Sequence, residues 1–176
     1  FDTCSYLEKL SGRTIDHEAT KARRRARSQE LMEQEGAMPG VEDYLHQARA
    51  LGLKTAIASS SSSGWVVGHL KRLGLDSLFD SFTCSEHTSN HKPNPEPYLC
   101  ALRSLGIPPA DAFALEDSPN GVTAAKAAGL FCVAVPNPVT GRLDLSHADL
   151  IIPSLKEKPL EELIRHIEQK ADRAST

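Results

Sequence analysis

The chain has 176 residues, a formal net charge of −3 and 40% apolar residues. That length suits one domain with at most a small appendage, and so weak a net charge gives no general case for a nucleic-acid partner. No apolar run approaches a membrane span, and with aromatics at only 5% the core must rest on Ala, Leu, Val and Ile.

Tyr6, Leu7 and Leu10 place a short helix ahead of Ser11-Gly12. Asp16 can cap a second helix running to about Glu35, with His17 and Glu18 in its first turn. Its large apolar residues are few, with Leu31 and Met32 near the end, so it reads as peripheral. Arg23, Arg24, Arg25 and Arg27 spread around that helix, and a solvated face is favoured over a binding patch. Residues 36–40 form a hinge. From Val41 the pattern alternates: helix 42–51, strand 55–59, helix 65–73, strand 81–85, helix 96–105, strand 113–116, helix 122–128, strand 131–135, a short strand 150–152 and helix 160–170. Residues 171–176 read as a frayed tail. Strands alternating with helices imply an α/β fold with a largely parallel sheet covered on both faces.

Cys4, Cys84, Cys100 and Cys132 form no CxxC pair, and the last three sit in apolar surroundings. That pattern predicts reduced thiols and a cytoplasmic protein. His87 and His91 have the spacing of a metal pair on a helix, but their Ser/Thr/Asn/Lys surroundings read as loop, which disfavours a zinc site.

Three strand ends carry chemistry. Residues 112–115 are apolar and deliver Glu116-Asp117 ahead of a turn and a helix start, the edge where open α/β sheets bind ligands. Adjacent carboxylates repel unless a cation neutralises them, and oxygen-only ligands suit Mg²⁺. The competing reading is that both acids cap the next helix. Strand 55–58 runs into Ser59-Ser60-Ser61-Ser62-Ser63-Gly64 before a helix, a natural anion site or else a flexible serine loop. Lys92 stands in Lys92-Pro93-Asn94-Pro95, where the prolines stiffen the backbone and start the next helix, so a lysine there can be aimed at one point. Alone, it would be an ordinary surface lysine.

The order Ser59, Lys92, Glu116-Asp117 is more specific than any one of these. It resembles the haloacid dehalogenase superfamily, in the branch of β-phosphoglucomutase and the sugar-phosphate phosphatases. The resemblance rests on Thr55-Ala56-Ile57-Ala58-Ser59-Ser60-Ser61, on residues 91–99 (HKPNPEPYL) and on residues 115–129 (LEDSPNGVTAAKAAG). Pro39-Gly40-Val41, with Leu45 and Leu53, is similar to the family's passage from cap to core. The resemblance covers about residues 38–163.

It implies a Rossmann-like sheet whose central strand carries Asp-x-Asp-x-Thr/Val, the first Asp as nucleophile and the second as general acid/base. This sequence has no such motif, and the expectation is therefore a piece of a longer chain: a partial helical cap over 1–37, a core over 38–170 lacking its first strand, and a tail over 171–176. The neighbours of that strand should then have unpaired backbone edges. The resemblance further implies a Mg²⁺-dependent phosphohydrolase working through an aspartyl-phosphate. Ser59 and the Ser60 N–H would hold the phosphoryl group, Lys92 would offset its charge, and Asp117 would bind Mg²⁺. Glu116 would join it only if the strand has already ended, because neighbours in a strand point to opposite faces. The substrate expected is a small phosphorylated metabolite, by default a sugar phosphate. No nucleic acid or membrane partner is expected, and the state expected is a monomer. A phosphosugar mutase and a non-catalytic binding protein of the same fold are the alternatives. The chain starting at Phe1 is expected to be inactive by itself.

Overall fold

Asp2 and Asp16 each begin a helix, for the same reason. An extended aspartate ahead of a helix offers its carboxylate to backbone N–H groups that have no partner one turn back. Asp2 accepts from the N–H of Cys4 and Ser5 at the head of α1 (Thr3–Ser11), and Asp16 accepts from that of Ala19 at the head of α2 (His17–Gln34). The computed structural model describes residues 2–174, so Phe1 and the Ser175-Thr176 end of the expected tail lie outside it. The chain divides into two units, 1–37 and 38–176. In the first, α2 buries none of its residues, as its scarcity of large apolar side chains predicts.

The second unit opens with α3 (Val41–Ala50) and continues through β1 (Ala56–Ala58), α4 (Ser63–Leu73), β2 (Ser81–Thr83) and α5 (Glu96–Leu105). It then passes through β3 (Phe113–Glu116), α6 (Pro119–Ala127), β4 (Phe131–Ala134), β5 (Leu150–Ile151) and α7 (Leu160–Ala174). Helix α7 runs beyond residue 170, so the first four residues of the expected tail are helical. Strand β2 ends two residues earlier than expected, because Ser85 already begins a 3₁₀ turn to His87.

All strand pairs are parallel, but they form two sheets. One contains β1 and β2, and the other has the order β3-β4-β5. Among the described residues β1 and β3 share no ladder, so each keeps one open edge. The two strands are nevertheless near neighbours, since Ala58 packs against the core cluster that holds Ala114 and Ala134. Leu115 in β3 is 39% exposed, unusual for an apolar residue in mid-strand.

The apolar run of β4 is explained by burial on both faces. Cys132 and Ala134 point into a cluster with Val122, Ala124 and Ala125 of α6 and Tyr98 and Leu102 of α5. Val133 points the other way, into Tyr44 and Ala48 of α3 and Leu160 and Leu163 of α7. A strand covered on both sides has no polar face to show, so the two-residue alternation disappears from its sequence. Burial pushes the Cys132 thiol up to about 12, with the Glu116 carboxylate adding to the shift. All four cysteines are unpaired thiols, as expected.

Gly40 fits the start of α3 against the 155–156 turn. Its φ is +90°, and a Cβ there would lie 2.7 Å from the Leu155 carbonyl carbon and the Lys156 nitrogen. Both atoms are backbone, so neither can rotate away. Gly40→Ala should destabilise the protein by at least about 1–2 kcal/mol from the left-handed backbone alone, with the contact adding to it. Urea unfolding should show a lower midpoint at unchanged slope. A midpoint equal to that of the native protein would refute both the backbone strain and the contact at this position.

Candidate active site

Strand β3 ends at Glu116, and Ser118 rather than either acid caps the following helix by accepting from the Gly121 N–H at 3.1 Å. That removes the capping explanation for the acid pair. The two carboxylates have different environments. Glu116 is buried and Asp117 is exposed at the sheet edge.

Four donors surround Glu116. Its Oε1 accepts from Lys92 Nζ and from the Tyr98 hydroxyl, both in short contacts. Its Oε2 accepts from the Asp117 N–H at 3.3 Å and the Ser118 hydroxyl at 3.4 Å. Lys92 is itself well enclosed, with 15% of its side chain exposed against 6% for Glu116. It also donates to the Tyr98 oxygen at 3.3 Å and lies 4.7 Å from the centre of that ring. Burial, then the nearby Glu116 carboxylate, raises the Tyr98 hydroxyl far above its ordinary pKa, so it stays protonated and donates. Burying both charges costs solvation, and only complete hydrogen bonding of the pair compensates for it.

The loop that carries Lys92 is held by more than its prolines. Glu96, in the first turn of α5, accepts from the N–H groups of Ser89 and Asn90 at 2.8 and 2.9 Å. Asn94 accepts from the Glu96 N–H at 2.9 Å. These bonds close the segment on itself and leave Lys92 facing Glu116.

Ser59 follows β1, and its N–H extends the ladder to the Thr83 carbonyl at 2.8 Å. Its hydroxyl oxygen accepts from the Ser61 N–H at 3.1 Å, and Ser60 is exposed beside it. The helix start beyond them differs from the expectation of an open anion site. Both oxygens of Glu86 sit 3.0 Å from the Ser63 nitrogen, and one takes the Ser63 hydroxyl at 3.1 Å. Glu86 therefore fills the N-terminus of α4 with an anion from this chain.

The structure thus joins Lys92 directly to Glu116, with Asp117 next in the chain. No hydrogen bond among the described residues links Ser59 or Ser60 to those three. His87 is committed to a local role, its Nδ1 accepting from the Cys84 N–H at 2.9 Å. Among the described residues, the group with metal-ligand spacing is instead Asp2, Cys4 and His17 in the first unit, within 4.8 Å of one another. There Asp2 caps α1 and His17 Nε2 lies 3.1 Å from Glu8.

The family model for haloacid dehalogenase-like hydrolases matches residues 2–135, about three quarters of the chain. The chain belongs to this family. YhcW of Bacillus subtilis, which carries a phosphatase name, is 46% identical over 167 residues, covering 95% of this chain and 76% of its own. Protein CbbY of Rhodobacter capsulatus is 37% identical over 125 residues, covering 69% of this chain and 55% of its own. A solved CbbY variant from Rhodobacter sphaeroides, bound to xylulose-(1,5)bisphosphate, superposes with a TM-score of 0.69 at 34% identity, over 73% of this chain and 60% of that one. A Thermotoga maritima structure named for β-phosphoglucomutase gives a TM-score of 0.73 at 27% identity, over 85% of this chain and 71% of that one. The family assignment agrees with the resemblance drawn from residues 55–61, 91–99 and 115–129, and with a phosphohydrolase.

In this haloacid dehalogenase-like hydrolase, one small residue makes the buried carboxylate possible. A Cβ on Gly121 would lie 1.8 Å from Glu116 Oε2 and 2.1 Å from its carboxyl carbon. Neither Gly121 nor Tyr98 stands out by residue type, although both lie inside the segments that carry the family resemblance. Gly121→Ala should displace the carboxylate and release Lys92. The expected stability loss is about 3–5 kcal/mol, the range for breaking a buried ion pair, because Lys92 loses its carboxylate partner. Urea unfolding and turnover measured on the same preparation check this. Native values of both would show that Glu116 has room to move.

Proposed function

We propose that the protein is a Mg²⁺-dependent phosphatase that transfers the phosphoryl group of a small phosphorylated metabolite, by default a sugar phosphate, to a carboxylate and then to water. The observation that carries the reading is the Lys92–Glu116–Asp117 constellation at the C-terminal end of β3. A lysine held on a buried carboxylate, beside a second carboxylate left open at the sheet edge, offers fixed positive charge and a free anionic ligand at one place. Phosphoryl transfer needs mainly positioning and charge neutralisation.

In this reading Ser59 donates its hydroxyl to a phosphoryl oxygen, the Ser60 N–H adds a second bond, and Lys92 offsets charge on the transferring group. Asp117 suits a hard cation, being an exposed carboxylate whose ligand atoms are oxygens. Glu116, whose two oxygens already accept four hydrogen bonds, holds Lys92 and reaches the ion only by giving up one of them. Bound Mg²⁺ would neutralise the charge of the phosphoryl oxygens.

The nucleophile comes, in this proposal, from a strand preceding residue 1 that pairs with the open edges of β1 and β3. Those edges, the packing of Ala58 against the cluster that holds Ala114 and the exposure of Leu115 support it. Residues 1–37 are then part of a helical cap and 38–170 the core. The protein is taken to be a monomer and to be cytoplasmic, and its four unpaired thiols favour the compartment. Among the described residues no helix is long and apolar enough to cross a membrane. The likeness to a structure named for β-phosphoglucomutase supports a phosphosugar mutase as the second reading.

The test uses the full-length protein with its upstream segment. Phosphate release from a panel of sugar phosphates should stop with chelator, return with Mg²⁺ and be largely lost in Asp117→Asn. Lys92→Ala, with its fold checked by circular dichroism, should lower turnover about a hundredfold, in line with the loss of one preorganised donor. Interconversion of sugar phosphates without phosphate release would favour the mutase. Turnover indifferent to chelator would refute the metal role. The chain beginning at Phe1 should show neither turnover nor an acid-stable, hydroxylamine-sensitive phosphoprotein, and stoichiometric labelling would place the nucleophile within it.

A further inference from the structure

Asp117 is exposed, and a carboxylate at a sheet edge samples several rotamers unless something holds it. Among the described residues, the group that bonds its carboxylate is Asn137, whose Nδ2 donates to Asp117 Oδ2 at 2.8 Å. The two residues meet because β3 and β4 run in register to their ends. Glu116 pairs with Ala134, and the Val135 N–H extends the ladder to the Glu116 carbonyl at 2.7 Å. Asp117 and Asn137 leave the sheet side by side.

Asn137 is fixed by its own loop. Its Oδ1 accepts from the N–H groups of Val139 and Thr140 at 2.8 and 2.9 Å. Its N–H donates to the Thr140 hydroxyl at 3.0 Å, and its carbonyl accepts from Gly141 at 2.8 Å. This settles which way the amide points. Turned over, its NH₂ would face two backbone N–H groups and its oxygen would face a carboxylate. The donor side must point at Asp117. Because that donor is neutral, it orients the carboxylate without discharging it, and Oδ1 of Asp117 is left for a cation. Ligating carboxylates are commonly held this way by an outer hydrogen bond, and losing the bond weakens metal binding.

We propose that Asn137 is a positioning residue that orients Asp117 for divalent-cation binding, so that the 137–141 turn sets the affinity of the site. This rests on Asp117 being the metal ligand. The test is calorimetric titration of the full-length protein with MgCl₂ alone, in the absence of substrate, for the native chain, Asn137→Ala and Asn137→Ser. Serine keeps an oxygen that can accept from the turn N–H groups but lacks the amide that reaches Asp117. Thermal unfolding in chelator reports on the turn by itself.

Both variants should raise the Mg²⁺ dissociation constant about tenfold or more. The serine variant should keep the native unfolding midpoint, which a purely structural role would not allow. If the native protein binds Mg²⁺ and both variants match it within about twofold, this inference fails while the metal reading stands. If Asn137→Ser restores native affinity, Asn137 acts through the turn alone and the inference also fails. If the native protein binds no Mg²⁺, the metal reading of Asp117 fails and takes the inference with it.

Discussion

The site depends on one buried carboxylate being fully bonded. Glu116 ends β3 inside the protein, where an unpaired negative charge would cost several kcal/mol. Its partners come from three places: Lys92 from the 89–96 loop, Tyr98 from α5, and the Asp117 N–H and Ser118 hydroxyl from the turn into α6. Each satisfies the carboxylate and is fixed by it in return. A loop lysine thereby acquires a defined position, and a strand, a helix and a turn are tied together at the edge where chemistry would occur. Such a pair is weak evidence for stability, since apolar replacements of similar volume often do as well. Its value is in placement.

That arrangement sets what the neighbouring acid can do. Lys92 is engaged by Glu116 rather than by Asp117, so among the described residues no cationic side chain is shown pairing with the exposed carboxylate. Asn137 supplies a neutral bond from β4's loop, which holds without neutralising. The adjacent acids thus separate into a buried anchor and an exposed carboxylate. Strand geometry alone allows this, since Glu116 is the last residue of β3 and Asp117 already belongs to the turn. Farther along the edge, Glu86 occupies the α4 helix start, so the Ser63 N–H there is already bonded by an acid of this chain.

The strands form two parallel sheets rather than one. β4 is enclosed on both faces by α5 and α6 on one side and α3 and α7 on the other, and it makes the second sheet coherent. β1 and β3 pack close enough to share a core but exchange no ladder bonds. Unpaired edges of this kind are costly to bury and prone to pairing with another strand. The open edges of β1 and β3 and the exposed Leu115 are the features that most distinguish this chain from a continuous α/β sheet.

Much of this was legible in the sequence. Apolar runs ending in Ser59 and in Glu116-Asp117, and a lysine between prolines, are local patterns, and local patterns decide strand ends, turns and helix starts through backbone geometry. They placed the strands and helices of residues 38–174 to within a few residues and identified the acid pair. What they could not decide were contacts between distant residues. Lys92 meets Glu116 across 24 positions, Tyr98 meets it across 18, and Asn137 reaches Asp117 across 20. Nothing in the residue types of Tyr98, Glu86, Gly121 or Asn137 marks them out, because tyrosine, glutamate, glycine and asparagine are ordinary in helices and loops. Their roles arise only when parallel strands bring separate loops to one edge. There the low dielectric makes every buried charge find a partner, and close packing leaves room at Gly121 for a carboxylate and nothing larger.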